Sequence, residues 1–424
     1  MKQIPLILFE DPGYQRFGPL TSIRPVWDLL IGFETIGDRI ARRLDIQPYS
    51  WIPRKDLRDI VKEQRGARAT NLPTRGDVFL VNGRAIGDIP KEGLNENSPY
   101  IILTDGPDVV ATRVPAVVAR RWLKLPNHNP ADFSAQMLIT IWNQELGTPE
   151  IEIRELKNAL AWWPWDLLKQ QDVVIRTALS RVGDAQIKGE VHTSTILVEE
   201  TSIHVEKGAT VGAGAILDAS DGPIMIMEGV RVMPGAIIIG PVVIGPNSTI
   251  NAGAKLYGPL SIGPACKLGG EISSSIFIGY SNKQHDGYIG NSIIGEWVNL
   301  GADTNNSDLK NNYSNVKVTL HGEQIDTGNA HFGCLIGDHV KTAINTQLNT
   351  GSVIGVGCNL FGAGFPPTTI GAFRWGGEDN FEMYDLKRFL STAAVVMKRR
   401  ERELTPSMAF LLSKLHALAL SGAE

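Results

Sequence analysis

The sequence predicts an α/β domain, then a parallel β-helix, then a helical C-terminal segment. Three observations carry this reading. An aliphatic residue returns every sixth position through much of the second half; strand-like and helix-like runs alternate in the first 180 residues; and helical spacing resumes after Pro367. The divisions expected from these patterns are residues 1–180, 181–368 and 369–424.

The six-residue period is the most informative of the three. It runs through Ile226, Val232, Ile238, Ile244, Ile250, Leu256, Ile262 and Leu268, with the same step at Val205, Val211 and Leu217. A later stretch follows Ile336, Thr342, Leu348, Ile354 and Leu360. Six fits neither a lone amphipathic helix nor a simple strand alternation. It fits a coil of three flat faces, one hexapeptide each, whose aliphatic side chains point inward and stack from turn to turn. Small residues often follow the aliphatic one, as in Ile244-Gly245 and Ile262-Gly263, and would take the corners. The 44 glycines of the chain, above the usual share of about 7%, suit such corners. The repeat breaks from about Ser273 to Thr327, a polar stretch expected to leave the coil and to carry chemistry.

In the first 180 residues, Ile4 to Phe9 reads as a buried strand and Glu10 to Ile23 as a polar loop. Val26 to Leu44 has helical spacing, and further helices are expected near 56–64 and 131–145. Val78-Phe79-Leu80-Val81 and Tyr100-Ile101-Ile102-Leu103 read as strands, so the alternation predicts a largely parallel sheet. The cluster Trp162-Trp163-Pro164-Trp165 reads as a packed junction, with a nucleobase platform as the other reading. At the C-terminal end, 378–402 has helical spacing. Thr405-Pro406 looks like a cap and first-turn proline opening a last helix to about Leu420.

Composition excludes several classes of function. The chain has 41 basic and 45 acidic residues and a net charge of −4, which argues against a nucleic-acid-binding surface. Three cysteines suit a reducing cytoplasm better than a disulfide scaffold. No run reaches the roughly 18 apolar residues of a membrane span, and no signal peptide is evident, so a cytoplasmic protein is expected.

The segment Gly269-Gly270-Glu271, then Gly279 to Gly290 with Lys283-Gln284-His285-Asp286-Gly287-Tyr288, then Gly295 to Ala302 and Asn305 to Tyr313, resembles a bacterial family of sugar-nucleotide proteins. These join a divergent nucleotidyltransferase domain to a hexapeptide-repeat acetyltransferase domain. Leu20-Thr21-Ser22-Ile23-Arg24-Pro25, Val81-Asn82-Gly83-Arg84 and Pro164-Trp165-Asp166-Leu167 fit the same family. It is similar to the bifunctional enzyme that acetylates glucosamine 1-phosphate and then uridylylates the product to UDP-N-acetylglucosamine. The resemblance implies a Rossmann-like nucleotidyltransferase fold, a left-handed β-helix (an exception to the usual crossover hand) and a homotrimer.

It also implies roles for particular residues. His285 would be the base that deprotonates the sugar amine, since an ammonium cannot attack a thioester and imidazole takes a proton near neutral pH. Tyr288, Glu271, Asn299, Asn312 and Tyr313 would bind sugar or acetyl groups. The Ala302 N–H would face the acetyl-CoA thioester oxygen. Lys283, with Lys255, would offset the sugar phosphate. Ser273 stands where the better-known enzyme has a phosphate-binding lysine, a departure that bears on the acceptor. In the N-terminal domain Arg16, Thr21, Arg24 and Asn82 would contact the nucleoside triphosphate. Asn82 stands where the related fold has an aspartate, and Asp105, equally readable as a turn residue, would be a Mg²⁺ ligand. The loop from Asp11 to Thr21 holds only two glycines, fewer than a phosphate cradle usually has.

Two other readings remain open at this level: a nucleotidyltransferase whose β-helix only assembles it, and a non-catalytic trimer that senses nucleotide. A zinc site is disfavoured because His192, His204, His321, His331 and His339 lack close two-histidine spacing.

Overall fold

A computed structural model describes residues 4–94, 99–123, 133–148, 150–180, 186–377 and 380–422. The chain forms two compact units. One comprises Met1–Phe17, Ile23–Leu29 and Glu34–Trp163; the other comprises Gly18–Ser22, Leu30–Phe33 and Pro164–Glu424. The expected division at 180/181 falls at residues 181–185, outside the described residues.

The first unit is built on six strands: β1 (Leu6–Phe9), β2 (Ser50–Ile52), β3 (Asp77–Asn82), β4 (Tyr100–Asp105), β5 (Asp108–Pro115) and β6 (Ile151–Glu155). They lie in the order β2-β1-β3-β5-β4-β6. Only β5 runs against its neighbours, so the sheet is largely parallel, as expected. The exception has a simple cause: Gly106-Pro107 is too short a link between β4 and β5 for the crossover that parallel strands need. β1 is buried along its whole length, and Phe9 packs with Trp122 and Phe133. Four helices accompany the sheet: α1 (Ile36–Leu44), α2 (Arg58–Arg65), α3 (Ala116–Leu123) and α4 (Ala135–Leu146).

The expected helix from Val26 to Leu44 exists only in its second half. Val26–Asp28 is a single 3₁₀ turn, and Gly32 takes a left-handed φ of 68°. The helix starts where Thr35 Oγ1 accepts from the Asp38 N–H at 3.1 Å. The apolar spacing at Leu29, Leu30 and Phe33 reported burial, not helix. The helix expected at 131–145 begins at Ala135, capped by Ser134, and 131–132 lie outside the described residues. The loop expected from Glu10 to Ile23 contains a 3₁₀ helix, Pro12–Phe17.

The second unit contains a β-solenoid of about 10 turns. Its longest face carries nine parallel strands. The six-residue ladder is its inner column: Ile226 pairs with Ile244 and Ile244 with Ile262, while Val232, Ile250 and Leu268 stack on the next face. All are buried, as are Leu256 and Ile238 on the third face. The expected break at Ser273 is a correction. Strands Ile276–Gly279, Asn282–Lys283, Tyr288–Gly290 and Ile293–Glu296 continue the three faces, but with shorter coils. Thr249 pairs with Lys267, eighteen positions on, whereas Lys267 pairs with Asn282, only fifteen on. The period changes, so a search for six-residue spacing loses the coil while the backbone keeps it. The coil above Ile294 continues through Asn299 and Asn305–Asn306, and the true excursion lies between Asn306 and Cys334, including a hairpin of Lys317–Leu320 and Glu323–Asp326.

Helix α5 (Pro164–Leu179) covers the outside of one face: Ile175 and Leu179 pack on Met225 and Val243. Ser261 Oγ donates to Gln171 Oε1 at 3.0 Å and accepts from the Gly32 N–H at 3.0 Å. At the far end, the helix expected over 378–402 is shorter. Residues 378–379 lie outside the described residues, Asn380–Met383 is a strand antiparallel to Arg374–Gly377, and α6 spans Leu386–Lys398 behind an Asp385 cap. Helix α7 (Pro406–Ser421) starts at the Thr405 cap and Pro406, as expected.

The shortened coil presses Gly263 against the backbone: a Cβ there would overlap the Ile278 carbonyl. Gly263→Ala is expected to cost more than about 2 kcal/mol, because the obstacle is main chain that cannot swing aside. A denaturant melt against the native chain checks it.

Candidate active sites in the two units

The second unit brings together part of the expected acetyltransferase constellation. Lys255, Glu271 and Tyr288 occupy successive rungs of one outer column, with Leu256, Ile272 and Ile289 inward beside them. Rungs lie about 4.8 Å apart, so the three side chains are direct neighbours. Lys255 Nζ stands 3.8 Å from Glu271 Oε2, and both remain half-exposed. His285 sits on the corner between strand Asn282–Lys283 and strand Tyr288–Gly290, three residues before Tyr288. It is exposed, and its imidazole makes no hydrogen bond among the described residues.

Tyr288 is held firmly. Its N–H donates to Asn305 Oδ1 at 2.7 Å and its phenol donates to Asp308 Oδ2 at 2.9 Å. Burial first, then Asp308 and Glu271, push the phenol's pKa up. Tyr288 is therefore a hydrogen-bonding group at neutral pH, with no capacity to act as a base. Asp308 also accepts from Asn291 Nδ2 at 2.7 Å. The Ala302 N–H carries no hydrogen bond among the described residues, leaving a donor available at that corner.

Other expected residues are elsewhere. Asn299 stands in the column of Asn282 and Lys341 on the neighbouring face, where its Oδ1 accepts from Asn282 Nδ2 at 3.3 Å. Asn312 closes a turn onto Ser314, and Tyr313 projects from the excursion, 74% exposed. Lys283 departs most from expectation. Meant to meet a surface phosphate, it is completely buried, and its Nζ donates to the carbonyls of His285 and, at 2.6 Å, Asp286. Burial pushes its pKa down to about 8.

In the first unit, the residues expected to bind nucleotide are mostly committed to the interior. Asn82 is fully buried, donating from Nδ2 to the Val109 carbonyl and accepting at Oδ1 from the Arg84 N–H. Asp105 Oδ2 accepts the N–H groups of Ala159 and Leu160 at 2.8 and 3.0 Å, so it closes a turn. Arg24 is buried, and its carbonyl lies 3.4 Å from Arg54 Nη1. Thr21 is buried too, and it groups with the second unit. Arg16 alone reaches toward solvent, its guanidinium 4.4 Å from the Trp162 ring centre and 3.5 Å from Asp108.

Sequence reasoning missed the group that organises this region, Arg84. It is fully buried, donating from Nε to Asp11 Oδ1 at 2.8 Å, from Nη1 to the Ala161 carbonyl at 3.0 Å and from Nη2 to Asp108 Oδ2 at 2.6 Å and to Asp11 Oδ2. The guanidinium also fills the space beside Gly13 where a Cβ would stand. Beside it, Glu10 accepts from Arg54 and from the Val26 N–H, and burial pushes its pKa up against the Arg54 charge. Asp11 is thus neutralised by arginine, while the Asn82 oxygen accepts from the Arg84 N–H and Asp105 spends Oδ2 on two turn N–H groups. These residues do not fit a Mg²⁺ ligand set, and no group of three or more His, Cys, Asp or Glu among the described residues is placed to hold a metal.

Residues 6–181 match the family described as sugar nucleotidyl transferase, and residues 223–258 match the bacterial transferase hexapeptide family. A segment that matches sugar nucleotidyl transferases thus precedes a β-solenoid, part of which matches the hexapeptide family. A bifunctional sugar-1-phosphate nucleotidylyltransferase/acetyltransferase of Sulfurisphaera tokodaii is 35% identical over 91 residues, 22% of this chain and 23% of that protein. The bifunctional protein GlmU of Methanocaldococcus jannaschii is 32% identical over 88 residues, 21% of each chain. That of Methanococcus aeolicus is 38% identical over 85 residues, 20% of each. The chain thus spans between a fifth and a quarter of the length of the curated relatives it matches. No helix among the described residues is long and apolar enough to cross a membrane.

Two outcomes follow from the buried charges. Arg84→Met strands the Asp11 carboxylate and should cost about 3–5 kcal/mol in a denaturant melt. Lys283→Met removes a buried ammonium whose folded pKa lies below its unfolded value near 10.4. The unfolded chain binds more protons between pH 8 and about 10.4, so the penalty is full below pH 8 and fades as pH rises through that window. Lys283→Met should melt a few degrees higher than the native chain at pH 7, and the gap should close toward pH 10.

Proposed function

We propose that the chain is a bifunctional transferase of sugar-nucleotide synthesis. The solenoid moves an acetyl group from acetyl-CoA to the amine of an amino sugar 1-phosphate. The first unit moves a nucleotidyl group from a nucleoside triphosphate to the sugar 1-phosphate. Glucosamine 1-phosphate, UTP and a UDP-N-acetylglucosamine product are the specific substrates and product we assign. The observation that carries this reading is the unencumbered imidazole of His285 on the corner leading into the Glu271–Tyr288 column. The matches to transferase families and the names of the relatives support it.

In the acetyl transfer, His285 takes a proton from the sugar ammonium, and the freed amine attacks the thioester carbonyl. The tetrahedral oxyanion is met by the Ala302 N–H. As the C–S bond breaks, the thiolate takes the imidazolium's proton and leaves as CoA thiol, and the nitrogen gives its second proton to the regenerated imidazole and from there to solvent. Glu271 and Tyr288 orient the sugar, and Lys255 offsets its phosphate where Lys283 does not. In a homotrimer, Asn312 and the exposed Tyr313 would serve a neighbouring copy's site. In the first unit, Arg16 is the cation we assign to the triphosphate, and the nucleotidyl transfer rests on the family match of residues 6–181. A cytoplasmic location is part of this reading, in keeping with three buried free cysteines.

Thiol release from acetyl-CoA with glucosamine 1-phosphate tests the acetyl transfer. His285→Ala should lower turnover at least about a hundredfold, the usual scale of a general base. A folded native protein that releases no thiol with any amino sugar phosphate would remove the assignment.

A further inference from the structure

The inner column beside the candidate base holds a charge where every rung below it is aliphatic. Val211, Val232, Ile250 and Leu268 stack on successive turns, and the next rung is Lys283. A buried ammonium is costly unless its protons are taken, and Lys283 makes no ion pair among the described residues. Its protons go instead to two main-chain oxygens, the carbonyls of His285 and Asp286. Asp286 and Asp303, the carboxylates facing it, favour its charged form without touching it.

Those carbonyls belong to the corner that bears the imidazole, and the corner is held from other sides as well. Asn251 Nδ2 donates to the Gln284 carbonyl at 2.8 Å from two turns below, reaching past Gly269. The Asp303 N–H donates to the Asp286 carbonyl at 2.9 Å from the turn above. Gly270 lets the corner settle close, since a Cβ there would lie 2.8 Å from the His285 carbonyl and 2.7 Å from that of Gly287. Between these grips the His285 backbone itself has one side-chain partner among the described residues, Lys283.

We propose that Lys283 is a positioning residue for acetyl transfer: its ammonium, inside the coil, fixes the main chain at His285 and Asp286 and so sets the reach of the His285 imidazole toward the substrate amine. This rests on the acetyltransferase reading of that site. It explains why the coil gives up an aliphatic rung there. A leucine would serve the column, but it would leave the corner without its inner anchor. Methionine separates the two roles. It fills the column with a similar unbranched chain and removes the buried charge, and the released carbonyls stand at an exposed corner where water replaces the ammonium. A lysine kept for the fold would lower the melting temperature when replaced; a positioning lysine would lower turnover and spare the fold.

The experiment measures steady-state thiol release by the full chain with acetyl-CoA and glucosamine 1-phosphate, with a thermal melt of each protein at pH 7. Native chain, His285→Ala, Lys283→Met and Lys283→Gln are compared. Lys283→Met is expected to melt at or above the native temperature, with kcat lower by about 10- to 100-fold, the scale of a sub-ångström to 1 Å misplacement. KM for the sugar should stay within about threefold. Lys283→Gln, which keeps an amide donor on a shorter stem, should recover part of kcat. Turnover by Lys283→Met within twofold of native, while His285→Ala is inactive, overturns the positioning role and leaves the acetyltransferase standing. A native chain without turnover ends both. Should Lys283→Met fail to fold, Lys283→Gln is read against the native chain by the same split, and an unchanged kcat there overturns the role.

Discussion

The inward stack of aliphatic side chains governs the second unit. Each rung sits about 4.8 Å above the last, and dispersion between like-shaped side chains keeps Ile226, Ile244 and Ile262 in one line. Outer residues inherit that spacing without choosing it. Lys255, Glu271 and Tyr288 become neighbours only because Leu256, Ile272 and Ile289 are stacked behind them. A one-residue slip would turn the Lys255–Glu271–Tyr288 column inward and the core outward. The same constraint explains where variation is tolerated. Faces are fixed, so coils shorten at corners, as between Lys267 and Asn282, or leave the stack altogether, as between Asn306 and Cys334.

The first unit is organised by a different interaction, the buried guanidinium of Arg84. One arginine supplies donors to two carboxylates and a carbonyl, the fork geometry that a lysine lacks. Because breaking such a set strands charge in the interior, the loop after β1 is locked into a 3₁₀ helix around it. This has a chemical consequence. Where an open glycine loop would offer N–H groups to phosphates, this loop offers a closed surface with Arg16 stacked on Trp162 at its edge. The positive charge at this edge is a side chain on an aromatic ring.

The solenoid was readable in the sequence because its core repeats in register with the chain: six positions, one inward side chain. The His285–Tyr288 motif was readable through resemblance, and its neighbour Glu271 through the same segment. What the sequence hid falls into two kinds. Lys283 looked like a surface cation because it lies in a polar run, yet the fifteen-residue coil places it on the inner column; only the count of residues from Leu268 reveals this. Arg84 and Asp11 looked unremarkable because their pairing spans 73 positions, which no local pattern encodes. Val26 to Phe33 misled for the opposite reason. Its apolar spacing was real, but it recorded burial in a turn that Gly32 bends into the left-handed region.

The two hidden residues share a logic. Each is a cation in a fully buried place, and each spends its donors on the main chain or on carboxylates of a corner that bears candidate chemistry. At Lys283, which makes no ion pair among the described residues, an apolar side chain would fold at least as comfortably; at Arg84 it would strand the carboxylates that the guanidinium now pairs. Charge in the core is therefore better explained by what it holds in place than by what it contributes to stability. Around Arg84 the thing held is a loop and its neighbouring Arg16; around Lys283 it is the backbone of His285. The same test applies to Lys341, whose ammonium donates to the carbonyls of Trp297 and His339 at 2.9 and 3.1 Å. It holds the main chain at Trp297 and His339, whose rings stack on each other and, through Trp297, on Tyr280.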